Sequence, residues 1–80
     1  MAKIKLSLRF PKALIDKPII YQLTRDFDVI TNIRRANIDD EIGWMVLELE
    51  GEMEEIERAM DDLVKIGVKV DPIYGDIMEG

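Results

Sequence analysis

Cysteine and histidine are both absent from the 80 residues. Without cysteine there is no disulfide framework, no thiolate nucleophile and no Cys-held zinc or iron–sulfur cluster on this chain. Without histidine there is no Ser–His or Cys–His catalysis, no imidazole metal ligand and no His-based switch near neutral pH. Glycine and proline are sparse, at five and three. The glycines stand singly at 43, 51, 67, 75 and 80, so no Gly-rich loop can cradle a phosphate. No apolar run approaches the roughly 18–20 residues that span a bilayer. The N-terminal Lys3-Ile4-Lys5-Leu6-Ser7 alternates and has no signal-peptide core, so no membrane insertion and a cytoplasmic location are expected.

What remains is 48% apolar and 35% charged, a foldable composition for one small domain spanning 1–80. A chain of this size buries roughly 60–65% of its unfolded surface, and such domains often gain stability by self-association. The net charge of −6 argues against a nucleic-acid partner. It is unevenly spread, +5 over residues 1–38 and −11 over 39–80. In one small domain most of that asymmetry must be internal complementarity.

Period-two alternation puts Ile4, Leu6, Leu8 and Phe10 on one face of a first strand that Pro11 ends. Asp16 as N-cap and Pro18 in the first turn predict a helix over about 17–27, with Ile19, Ile20, Leu23 and Phe27 inward. Residues 29–38 return to strand character, untidily, because their register sets Asn32 and Arg34 among apolar neighbours; a bulge near Asn32 is one escape and a functional site another. Asp39 to Gly43 reads as a hairpin loop, followed by a strand with Met45, Leu47 and Leu49 inward. Glu52–Ile66 reads as an amphipathic helix, with Ile56, Met60, Leu63 and Ile66 as its stripe, Ala59 and Val64 on the flank and Gly67 as its C′ residue. Val68 to Asp71 forms a last strand, an edge because of Pro72, and 74–80 a flexible tail.

The order β-α-β-β-α-β with right-handed crossovers predicts an α+β, ferredoxin-like sandwich: a four-stranded antiparallel sheet of order 4-1-3-2 with both helices on one face. The open face should carry Lys3, Lys5, Ser7 and Arg9 beside Trp44, Val46, Glu48 and Glu50. Ile33, Arg35, Lys69 and Asp71 complete it. Trp44, Val46 and Ile33 form the patch expected to be an interface in a homodimer. RNA-binding versions of this fold stack bases on aromatics of the central strands, and here only Trp44 is available. The acidic clusters 39–41 and 61–62 lack calcium-loop spacing and read as solvated charge, so neither a metal nor any cofactor is expected. No nucleophile–base pair is readable, so the chain is not expected to be an enzyme. Thr31-Asn32-Ile33-Arg34-Arg35-Ala36 has two readings. An amide beside two guanidinium groups suits a zwitterion, and charge on an edge strand guards against aggregation.

Four segments in order carry a resemblance: Asp16-Lys17-Pro18-Ile19-Ile20, Asn32-Ile33-Arg34-Arg35-Ala36-Asn37-Ile38, Gly43 to Gly51, and Ile66-Gly67-Val68-Lys69-Val70. Over roughly residues 4–73 the chain resembles the NIL domain family, named for an Asn-Ile-Leu motif on the second strand. The resemblance implies a regulatory domain of methionine ABC importer ATPases, a ferredoxin-linked domain of sulfur assimilation and homocysteine formation, or a stand-alone form. This chain is most similar to the last, and its Asp-Lys-Pro and closing Gly-Asp-Ile-Met segments to the ferredoxin-linked branch. The implied function is a small-molecule-binding module sensing methionine or a related sulfur amino acid at or near a dimer seam. The alternative is a non-catalytic interaction subunit with an iron–sulfur or transporter partner protein. The implied site residues are Asn32 bonding the amino-acid backbone, Ile33 lining the side-chain pocket and Ala36 permitting close approach. Arg34 stands where the motif has Leu, and suits a carboxylate clamp or a salt bridge to a partner chain. Met45 or Ile33 would supply soft apolar contacts to a thioether.

Overall fold

The computed structural model describes residues 1–73. Strand β1 (Ala2–Phe10) leads through a short 3-10 turn (Lys12–Leu14) to helix α1 (Ile19–Asp26). Strands β2 (Ile30–Ile38) and β3 (Gly43–Gly51) form the hairpin, followed by helix α2 (Met53–Lys65) and strand β4 (Lys69–Ile73). All pairings are antiparallel and the sheet order is β2-β3-β1-β4, the expected ferredoxin-like topology. The expected tail at 74–80 and its Gly-Asp-Ile-Met segment lie outside the described residues.

Alternation in β1 and β3 does what period two demands. Leu6, Leu8 and Phe10 from β1 and Met45, Leu47 and Leu49 from β3 are buried under the helices. They meet Ile19 and Leu23 of α1 and Ile56, Ala59 and Leu63 of α2, with Val29 and Val68 closing the cluster. Lys3 faces Glu50, Lys5 faces Glu48, Ser7 faces Val46 and Arg9 faces Trp44 on the other side of the sheet, as the alternation requires. Opposite charges in directly facing positions stabilise the ladder modestly.

Helix α2 ends as its sequence predicts. Gly67 takes φ +107°, Val68 N–H donates to Leu63 O at 3.0 Å and Gly67 N–H to Val64 O at 3.1 Å, so two orphan carbonyls are satisfied by a left-handed cap. Its buried stripe differs from expectation. Ala59 is fully buried, whereas Ile66 and Val64 face outward, because the last turn runs past the edge of the sheet.

Three further expectations are corrected. Helix α1 starts two residues later than predicted, and Asp16 does not cap it: Pro18 occupies the N-cap position and no side chain bonds the first turn. The chain between β1 and α1 spends its hydrogen bonds on tight turns instead, with Leu14 N–H donating to Pro11 O at 2.8 Å and Lys17 N–H to Leu14 O at 3.1 Å. The bulge expected near Asn32 falls between Ile33 and Arg35. Neither simple alternation set therefore survives along β2. Thr31, Ile33, Ala36 and Ile38 pair with Leu49, Leu47, Met45 and Gly43 and share their helix-side face. Asn32, Arg35 and Asn37 pair with Glu48, Val46 and Trp44 on the open face. Ile33 is thus absent from the open-face patch expected with Trp44 and Val46. One extra residue reverses the side on which every later residue emerges.

Candidate ligand cleft and free strand edge

The turns after Pro11 are compact because proline ends the strand and cannot donate to the ladder. They fold Leu14 and Ile15 back against the sheet and deliver Pro18 to the start of α1. Between this connection, the start of α1 and the far end of β2 lies an open cleft of about 200 Å³. Phe10 and Met45 form its floor from the two central strands. Leu14, Ile15, Pro18 and Ile19 form one wall, Ile20 and Tyr21 the rim on α1, and Ile38 the opposite rim on β2. Lys17 also contributes to the lining. The volume suits a ligand of amino-acid size and falls below the roughly 300–1,000 Å³ of pockets for drug-sized molecules.

The cleft borders a strand left uncovered. α1 is only eight residues long and, although it touches β2, it leaves most of that strand's side chains exposed. Ile33 remains 51% exposed and Ile38 49%, although both point to the helix side. Ile30 is exposed on the other side. Strand β2 therefore offers solvent a free backbone edge with apolar side chains on both flanks.

The end of this edge is held by its own loop. The Asp39 carboxylate accepts the Glu41 and Ile42 backbone N–H groups at 2.8 and 2.9 Å, and Asp39 N–H donates to Ile42 O. These donors, Ile42 foremost, hold its carboxyl below the ordinary aspartate pKa. Lys12 reaches Glu41 at 3.5 Å, linking the loop to the 3-10 turn. At the other end, Asp28 N–H donates to Glu55 Oε2 at 2.9 Å and Arg58 donates to Glu55 Oε1 at 2.7 Å, with its guanidinium over the Phe27 ring.

The residues singled out from the sequence divide between the two faces. Ile33 and Ala36 share the helix side with Ile38 of the cleft rim. Asn32 lies on the open face opposite Glu48, and Arg34, in the bulge, has Nη1 3.9 Å from Glu48 Oε1. Within one chain these four do not surround a common space. Trp44 lies half-buried on the open face and its indole N–H donates to Ser7 Oγ at 3.1 Å, with Val46 beside it. Sequence reasoning named Met45 as apolar lining, and it lines the cleft. It missed Lys17, Pro18, Ile20, Tyr21 and Ile38 as a group. The available signal was two adjacent isoleucines after a proline, of which a short helix can bury only one fully.

Among the described residues no group of three or more Asp or Glu side chains is placed to hold a metal ion. No described helix is long and apolar enough to cross a membrane.

Comparison with known proteins places the chain among relatives. The profile of the NIL domain matches residues 5–72. The methionine import ATP-binding protein MetN of Helicobacter pylori is 33% identical over 63 residues, covering 74% of this chain and 19% of that protein. The chain thus spans about a fifth of the length of that curated relative. A crystal structure of the C-terminal domain of an ABC transporter ATP-binding protein from Enterococcus faecalis superposes with a TM-score of 0.80 at 25% identity. It covers 91% of this chain and 86% of that one.

Proposed function

The chain belongs to the NIL domain family, and from that membership we propose that it is a non-catalytic regulatory module that binds methionine or a related sulfur amino acid. The observation that carries this reading is an apolar cleft of amino-acid size that opens beside a free strand edge. Met45 in the floor offers a polarisable thioether surface to a ligand sulfur, and Ile20 and Ile38 flank the entry for an unbranched tail. The relatives are, or are parts of, ATP-binding proteins of transporters, one of them for methionine import. Ligand occupancy here would accordingly be read by a transporter or iron–sulfur partner.

The dimer belongs to the same proposal. Two copies pairing along β2 would cover Ile30, Ile33 and Ile38 and satisfy the open edge. The seam would then gather both flanks of that edge: Ile33 and Ala36 from the cleft side, Asn32 and Arg34 from the open face. Such a seam would let Asn32 of one copy approach a ligand at the other, a contact that a single chain does not offer.

Isothermal titration with methionine, homocysteine and aspartate tests the ligand. Methionine or homocysteine should release heat and raise the melting temperature, and aspartate should do neither. A ligand at one hundred times its Kd adds about 2.7 kcal/mol of stability, several degrees for a domain of this size. No heat and an unchanged melting temperature with millimolar methionine or homocysteine would overturn the reading.

A further inference from the structure

The acidic residues of this chain outnumber the basic ones, seventeen to eleven, yet none of the described ones lines the cleft. Among the described residues the lining holds one charged group, Lys17, and it is a cation. Several other cations are engaged elsewhere. Lys12 is paired with Glu41, Arg25 with Asp26 and Arg58 with Glu55. Arg34, which stands where the family motif has Leu and is expected as a carboxylate clamp or partner salt bridge, lies with Glu48 on the opposite face of the sheet. Among the described residues Lys17 has no side-chain hydrogen bond or ion pair, and its backbone is fixed on both sides: its N–H donates to Leu14 O and its carbonyl accepts from Ile19 N–H at 2.8 Å. A fixed backbone with a free four-carbon stem is the arrangement that lets an ammonium follow a ligand's charge.

Resting on the reading of the cleft as an amino-acid site, we propose that Lys17 determines its specificity. The ammonium pairs with the ligand's carboxylate while the apolar tail enters between Ile20, Ile38 and Met45. The amino group contributes little, because no acidic side chain stands in the lining to receive it. The ligand class is therefore a carboxylate with a short apolar tail, and the 2-oxo acid of methionine belongs to it as much as methionine does.

Three probes separate these contributions: methionine, 4-methylthio-2-oxobutanoate, which lacks the amino group, and 3-methylthiopropylamine, which lacks the carboxylate. Titrated into the full chain, the first two should bind within about threefold of each other and the amine at least about tenfold more weakly. Lys17→Gln keeps both backbone bonds, so its melting temperature should match the parent. It should weaken both carboxylates about three- to tenfold, leave the amine unchanged, and be rescued by Lys17→Arg. Equal binding of amine and methionine, or an unchanged affinity in Lys17→Gln, overturns the role of Lys17 and leaves the cleft reading standing. Failure of all three probes to bind overturns both.

Discussion

The two edges of this sheet are built on opposite plans. β4, as far as the described residues run, carries Lys69 and Asp71 and has Pro72 in its ladder opposite Leu6. Charge and proline each discourage another strand from adding there. β2 is nine residues long, has no proline, and shows Ile30, Ile33 and Ile38 to solvent. Its guards are Arg34, Arg35 and the bulge between Ile33 and Arg35. One edge is guarded by charge and proline, and the other leaves apolar side chains in solvent. The contrast teaches that β2 contributes little to the core of its own chain and is available for association.

That contrast is sharpest at one cross-strand pair. Leu47 of β3 and Ile33 of β2 face each other on the helix side, yet Leu47 is fully buried and Ile33 half exposed. Leu47→Ala should cost about 2–5 kcal/mol in chemical denaturation, enough to threaten a domain this small. Ile33→Ala, measured on the monomer at high dilution, should cost less than about 1 kcal/mol. Similar losses for the two would mean that β2 is a load-sharing core strand and the comparison of edges is mistaken.

Association itself is the next effect in size. Sedimentation at micromolar concentration should find the parent chain dimeric, and Ile33→Lys with Ile38→Lys together should make it monomeric by placing two like charges per copy at the seam. Val70→Lys would be a poor control because that side chain packs on the core; Lys69→Glu, on the guarded edge, should leave the dimer intact. A monomeric parent, or a dimer lost through Lys69 and kept in the β2 variant, would reverse the assignment of edges.

The smallest effect concerns the loop that ends β2. Because Asp39 titrates below its ordinary value in the folded chain, its contribution is complete above the usual aspartate range and fades as pH falls through the depressed value. The Glu41 and Ile42 amide resonances, whose protons it accepts, should titrate together with a midpoint below about 3.9. A midpoint at or above that value would mean that the loop is open in solution and the end of β2 frays.

Much of the fold could be read from residue order. Alternation in β1 and β3, the Ile56–Leu63 spacing of α2 and the placing of Gly67 each translate directly into an element, because every one depends on neighbours a few residues away. β2 could not be read in this way. A bulge is a mismatch between two strands, and its position depends on where Leu47 and Val46 sit when the hairpin closes. For the same reason the candidate residues 32–36 looked like one cluster in sequence and divide between two faces in space.

Residue order by itself therefore determined the topology, the buried halves of the two central strands and the cap of α2, since local periodicity and steric limits on the backbone suffice for these. Only tertiary structure decided that β2 stays largely exposed beside a short α1, and that Lys17, Ile38 and Met45 border one cleft. Residues 17, 38 and 45 share a space because packing joined a turn, an edge strand and a central strand, and no spacing along the chain encodes that meeting.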